Sequence, residues 1–238
     1  MSKVLIKELA KKLGYVISAY DSMRDPLEIR KSLFEKLGIN VVLDVGANAG
    51  YYAKDLRMTG YQGRIVSFEP LTSAYKALAE AAALDPKWTA CHCALGSEVG
   101  ASEIFVSSNS WSSSMLDILP DHTSSAPDSK YVAKEVISIK TLDSLFDEHV
   151  SAGEKVFLKI DTQGYTKHVL IGANNSIDKI RGVFVEMSLV PLYAGEPLIG
   201  EVISMLYEMG FVLLTIEPEF VDKESGRLLQ VNGLFSRV

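Results

Sequence analysis

Val41-Val42-Leu43-Asp44-Val45-Gly46-Ala47-Asn48-Ala49-Gly50 is a short apolar run carrying a single acid, and it ends in a glycine-rich turn. It reads as a buried strand leading into a helix. A second apolar run, Arg64-Ile65-Val66-Ser67-Phe68-Glu69-Pro70, ends on an acid. Glycines after a first strand let backbone approach a ligand closely, and the next helix offers N–H groups there. An acid closing the second strand can accept both hydroxyls of a ribose. The pair implies a nucleoside-containing cofactor. Asp44 precedes the turn, and the glycines run Gly46-x-Asn48-x-Gly50, with Tyr51 where G-x-G-x-x-G would end. That pattern favours S-adenosylmethionine over NAD.

From Val41 onward, apolar strands and amphipathic helices alternate, the pattern of a parallel sheet covered on both sides. Strands are expected at 41–45, 64–69, 88–94, 155–160, 182–187, 211–217 and 228–236. Helices are expected near 50–59, 71–84, 165–172 and 197–209. The last two strands flank Glu217-Pro218 and Ser225-Gly226 and read as an antiparallel pair. The expected fold is therefore α/β and Rossmann-like, a seven-stranded, mostly parallel sheet with an antiparallel last strand in residues 41–238. Residues 1–40 read as a helical N-terminal cap of two helices. In the first, Leu5, Leu9, Leu13 and Ile17 share a face that a homodimer could use, while Lys3, Lys7 and Lys11 mark another. In the second, Asp25 caps, Pro26 opens and Gly38 ends the helix. Residues 97–140 break the alternation. They are serine-rich, flanked by strand-like pieces at 102–106 and 132–139, and read as an insert that forms a lid or binding loop.

The chain has 238 residues and a net charge of −6, which argues against a broad nucleic-acid surface. No run approaches the ~18 apolar residues of a membrane span, and no signal-peptide pattern opens the chain, so a cytoplasmic location is expected. The two cysteines, in Cys91-His92-Cys93, are too close together to surround a metal and read as small core residues.

Ligands of open α/β sheets bind outside the carboxyl ends of the strands. Asp44, Glu69, Lys159, Asp161 and Glu186 all fall there. Lys159 and Asp161 share one face of the strand 155–160, and Glu186 ends the next strand; if these strands are neighbours, Lys159, Asp161 and Glu186 form a charged catalytic group beside the cofactor. Charges in strands this apolar must be paired or reach water. Asp161, with Glu186, is the candidate base for an alcohol nucleophile, although such an acid pair could instead hold Mg²⁺. His122 lies in the serine-rich insert and His168 on the helix after Asp161.

Several segments together resemble the FkbM-type methyltransferase family. They are Leu43 to Gly50, Phe68-Glu69-Pro70, Ala94-Leu95-Gly96, Thr141-Leu142-Asp143, Leu158-Lys159-Ile160-Asp161-Thr162-Gln163-Gly164, Val169 to Ala173, and Glu186-Met187-Ser188 with Pro191-Leu192-Tyr193. The resemblance spans roughly residues 40–236. It implies a class I methyltransferase fold and S-adenosylmethionine-dependent O-methylation of a sugar, glycan or natural-product hydroxyl. By position it implies that Asp44, Gly46, Asn48 and Gly50 form the cofactor loop and that Glu69 holds the ribose. Ala94 and Leu95 would lie against the adenine, and Asp161 would lie near the methyl group. Ser113 and Ser114 fall in the family's variable insert. Thr166 stands where relatives commonly carry Glu, which keeps a non-catalytic cofactor-binding module open as an alternative. A nicotinamide-dependent dehydrogenase is disfavoured by the missing G-x-G-x-x-G and by the absence of a Tyr-x-x-x-Lys pair.

Overall fold

The computed structural model describes residues 3–15, 17 and 25–237. The chain divides into two compact units, Met1–Lys36 and Leu37–Val238. The first contains helix α1 (Lys3–Lys12) and most of α2 (Pro26–Leu37). The Asp25 carboxylate accepts a hydrogen bond from Leu27 N at 3.0 Å, so Asp25 caps α2 as its sequence position suggests. Leu13 and Ile17 lie beyond the end of α1, and residues 18–24 of the expected cap lie outside the described residues.

The second unit is built on a seven-stranded sheet, β1 (Val41–Val45), β2 (Arg64–Phe68), β3 (Trp88–Cys91), β7 (Val156–Ile160), β8 (Ile180–Ser188), β9 (Val212–Val221) and β10 (Leu228–Ser236). Their order is β3-β2-β1-β7-β8-β10-β9. Pairing is parallel from β3 through β8, and β10 runs antiparallel to both its neighbours. The Rossmann-like sheet with its antiparallel last strand is as expected. Strands β1 and β7 are buried throughout, which is why they read as unbroken apolar runs. Helices α3 (Tyr51–Met58), α4 (Thr72–Ala82), α7 (Thr166–Ile171) and α8 (Ile199–Glu208) match the helical patterns closely. Helix α6 (Leu142–His149) was not anticipated; Thr141 caps it by accepting from Ser144 N at 3.1 Å.

Two expectations change. The run 88–94 is not one strand. Strand β3 stops at Cys91, and His92 is drawn aside to the Pro70 carbonyl at 3.0 Å and stacks on Tyr75 at 4.3 Å. Strand β4 (Ala94–Leu95) then enters a separate three-stranded sheet, ordered β4-β6-β5. The region 97–140 supplies the rest of that sheet, β5 (Gly100–Ser107) and β6 (Tyr131–Lys140). The strand-like flanks of the insert are thus the stem of a long hairpin. Its tip, residues 108–130, turns back along β5, pairing Ser114 with Phe105, and carries the short helix α5 (Pro120–Ser125). No described helix is long and apolar enough to cross a membrane.

The sheet order reverses between β1 and β7, the point where open α/β sheets form a crevice. The loops leaving these two strands touch there. Gly46 has φ +74°, and a Cβ on it would lie 1.7 Å from the Asp161 carbonyl oxygen. Gly46→Ala therefore meets both left-handed strain and a backbone clash, and it is expected to cost about 2 kcal/mol or more. Chemical denaturation measures this; an unchanged midpoint would refute the close approach.

Candidate active site

The register of the central strands sets the site. Asp44 on β1 lies beside Ser67 on β2 and beside Lys159 on β7. Asp44 is fully buried and Lys159 almost so. Lys159 Nζ sits 3.1 Å from Asp44 Oδ1, donates to the Gly46 carbonyl at 2.9 Å, and is 3.7 Å from Asp161 Oδ2. The other Asp44 oxygen accepts from Ser67 Oγ at 2.9 Å, which in turn accepts from Trp88 Nε1 at 3.0 Å. Burial alone would pull the Lys159 ammonium down, but Asp44 and Asp161 outweigh it and hold the pKa above the ordinary value. The group stays a cation.

Above this buried line lies a cavity of about 420 Å³, within the size range of small-molecule sites. Of the residues singled out in the sequence, Gly46, Asn48, Glu69, Ala94, Leu95, Asp161 and Glu186 line it, as do Ser113, Ser114 and His122 from the insert. Asp44, Gly50 and Lys159 do not. Asp44 and Lys159 lie beneath the cavity wall. Gly50, with φ +79°, opens α3, and a Cβ there would lie 2.6 Å from the Trp88 ring. Thr166 is buried at the start of α7 and His168 stacks on Tyr165 at 4.1 Å; neither lines the cavity.

At one end, Glu69 holds the glycine loop. Its two oxygens accept from Asn48 N at 2.8 Å and Leu71 N at 2.9 Å. The loop's other amides are also taken within the chain, Gly46 N and Ala47 N by the Phe68 carbonyl and Ala49 N by the Asn48 side chain. The loop thus offers a ligand shape rather than the bare N–H groups its glycines suggest. Burial pushes the Glu69 carboxyl up to about 7, against the two backbone hydrogen bonds and Lys159, with Asp44 adding to the rise. Each Glu69 oxygen keeps a lone pair, and Ala94 and Leu95 add an apolar wall, so these are residues that could hold a ribose and a flat base.

At the other end, Gln163 joins two acids. Its Nε2 donates to Asp161 Oδ1 at 2.9 Å and to Glu186 Oε2 at 3.0 Å. Tyr193 OH donates to Gln163 Oε1 at 2.7 Å, and Ser114 Oγ donates to the Gln163 carbonyl at 2.7 Å. Burial pushes the Glu186 carboxyl well above the usual range, and Asp161 and Glu219 add to the rise while Lys159 opposes it. An amide donor between the two carboxyls does not suit a cation. Among the described residues no group of three His, Cys, Asp or Glu side chains is arranged to hold a metal. Gln163 and Tyr193 stand in the sequence only within family-like motifs, with no role of their own, and Glu219 is not singled out there. Gln163 carried a signal, since it stands between Asp161 and Gly164 in a recognisable motif.

The buried pair is testable by itself. Lys159→Met leaves Asp44 without its cation and should cost about 3–5 kcal/mol. The double variant Asp44→Asn/Lys159→Met should be more stable than Lys159→Met alone. Denaturant titration of both, with Asp44→Asn alone, measures this, and simple additivity would refute the coupling.

A family model for the methyltransferase FkbM domain matches residues 44–213. Among solved structures, methyltransferase FkbM from Methylobacillus flagellatus KT is 13% identical, with 82% of this chain and 43% of that chain covered and a TM-score of 0.47. LepI in complex with SAM is 10% identical, with 100% and 53% covered and a TM-score of 0.47. Magnesium protoporphyrin IX methyltransferase from Synechocystis PCC 6803, with bound SAM, is 9% identical, with 99% and 97% covered and a TM-score of 0.46. The chain spans about half the length, or less, of the first two. No curated protein matches it. With the family model covering the glycine loop, the insert and both acid-bearing strands, the chain belongs to the FkbM methyltransferase domain family, whose members are S-adenosylmethionine-dependent methyltransferases.

Proposed function

We propose that the chain transfers a methyl group from S-adenosylmethionine to a hydroxyl of a small-molecule or glycan acceptor. One juxtaposition carries the reading: Glu69 and the Asp161–Gln163–Glu186 group line a single cavity. When bound, S-adenosylmethionine supplies an electrophilic methyl carbon. The chain's own work is to align the nucleophile with it and to accept the hydroxyl proton.

Glu69 is assigned to the ribose hydroxyls, and Ala94 and Leu95 to the adenine. Gly46, Asn48 and Gly50 shape the loop, and Asp44 supports it from below through Lys159. Asp161 is assigned as the proton acceptor, with its carboxylate oriented by Gln163. Glu186 is favoured in its protonated form and would give a hydrogen bond to an acceptor oxygen. Lys159 is a positioning residue, since its ammonium is already engaged by Asp44 and the Gly46 carbonyl. The residues present do not fit Mg²⁺, and no step is assigned to it. The idle-module alternative leaned on Thr166, a buried residue that does not line the cavity.

Two measurements test this. Asp161→Asn should lower turnover by about 10²–10⁴-fold, the range for a positioned acid or base, with affinity for S-adenosylhomocysteine within about twofold. Full activity would remove Asp161 from the chemistry. The second concerns Glu69, whose raised pKa near 7 means that its charged form, the better acceptor for ribose hydroxyls, gains population as pH rises. Affinity for S-adenosylhomocysteine should therefore increase from about pH 6 to about pH 8. Glu69→Gln should flatten that dependence and weaken binding at the upper end by about 1.5–3 kcal/mol. A pH slope that survives in Glu69→Gln would overturn the ribose assignment.

A further inference from the structure

Two lining residues of the cavity carry buried polar atoms that have no hydrogen-bond partner among the described residues, His122 Nδ1 and Thr162 Oγ1. His122 is the more telling. It is only 3% exposed, and its ring is set edge-on to Tyr193 at 5.1 Å and tilted against Phe220 at 5.3 Å. Those aromatic faces fix the imidazole without satisfying its nitrogen. Natural proteins seldom bury an unpaired polar atom, and a ligand is one reason to keep one. Burial also pushes this imidazole down to about 4, so the ring stays neutral under ordinary conditions.

The charge of the wall points to the ligand's chemistry. Glu69, Asp161, Glu186 and Glu219 line the cavity, and no lysine or arginine stands among its described lining residues. The Lys159 ammonium, beneath the wall, is engaged by Asp44 and the Gly46 carbonyl. An acceptor's phosphate or carboxylate brought beside Asp161, Glu186 and Glu219 would meet these carboxyl groups and no unengaged cation. A hydroxyl both gives and takes a hydrogen bond, so it matches either tautomer of a neutral imidazole.

We propose that His122 binds the acceptor, its ring nitrogen hydrogen-bonding a hydroxyl of an uncharged, polyhydroxylated molecule, and that this end of the cavity rejects acceptors bearing phosphate or carboxylate there. The inference rests on the methyl-transfer reading for the ligand's role in the reaction, but its binding test does not require turnover.

The test is saturation-transfer NMR on the full chain saturated with S-adenosylhomocysteine, using methyl glucoside, methyl galactoside and methyl rhamnoside against glucose 6-phosphate and glucuronate. At least one glycoside should bind and neither anion should. His122→Phe keeps the ring shape and removes the nitrogens. It should weaken glycoside binding at least tenfold and leave S-adenosylhomocysteine affinity and the melting temperature unchanged or raised. His122→Gln, which restores a polar atom, should recover part of the loss. The proposal is overturned if the anions bind as well as the glycosides, if no glycoside binds, or if His122→Phe binds as wild type. It is also overturned if His122→Phe lowers the melting temperature and both ligand affinities together, the mark of a purely structural residue. Failure of S-adenosylhomocysteine to bind in a separate calorimetric titration would count against the methyl-transfer reading instead, and the glycoside comparison would then run without it.

Discussion

The buried pair of Asp44 and Lys159 is the constraint on which the rest of the site depends. Two opposite charges are withdrawn from water in the centre of an apolar sheet, a costly arrangement unless geometry and further hydrogen bonds compensate. Several contacts offset that cost here, with Asp44 Oδ1 facing the ammonium as an ion-pair partner without a hydrogen bond of its own. Adjacent register positions on β1 and β7 bring the charges to 3.1 Å, Ser67 donates to the second carboxylate oxygen, and the ammonium donates to the Gly46 carbonyl. Trp88 extends the line to the sheet's edge strand, and its ring also packs where a side chain on Gly50 would go. One polar line therefore ties together β1, β2, β3, β7 and both ends of the glycine loop. The loop's positive-φ residues Gly46, Asn48 and Gly50 are held from beneath.

The same cation organises the acids above it. Lys159 approaches Asp161 to 3.7 Å and acts only at longer range on Glu69 and Glu186, whose carboxyls are pushed up by burial. Burial, opposed by Lys159, raises the Glu69 and Glu186 carboxyls, while Asp161, of the three, lies closest to the cation. A buried carboxyl raised in this way is suited to giving a hydrogen bond, and a carboxylate held beside a cation is suited to accepting one. The proposed division between Asp161 and Glu186 has that origin.

Much of this was legible in the sequence, for physical reasons. Fully buried parallel strands must be apolar, so β1, β2, β7 and β8 stand out, and a charge inside such a run marks a constraint. Asp44, Glu69, Lys159, Asp161 and Glu186 were all visible on those grounds. Which charge pairs with which was not, because register is a tertiary property. Asp44 and Lys159 were read in separate roles and proved to be partners. The break after Cys91 was hidden because alternation continues into Ala94-Leu95, although those residues serve a different sheet. Helix α6 was missed because Thr141-Leu142-Asp143 was read as a motif rather than as a cap and first turn. Glu219 could not be found by pattern, since it reaches the cavity only when segments distant in the chain meet, and the motif holding Tyr193 gave no sign that its hydroxyl meets Gln163.

Gln163 ties the insert to the acids of the cavity. Its φ of +50° is unusual for a residue with a side chain, and such strain persists only where the surroundings over-determine it. Three contacts do so. Ser114 holds the carbonyl, Tyr193 holds the amide oxygen, and the amide nitrogen is held between Asp161 and Glu186. Tyr193 OH also lies 3.1 Å from the Ser112 carbonyl, so the tip of the insert contacts both Gln163 and the residue that orients it. A change in residues 108–130 would therefore reach the orientation of the two carboxyls through Gln163. The segment that shapes one wall of the cavity is thus linked through Gln163 to the geometry of its acids, which under the proposed function would couple acceptor binding to alignment of its hydroxyl.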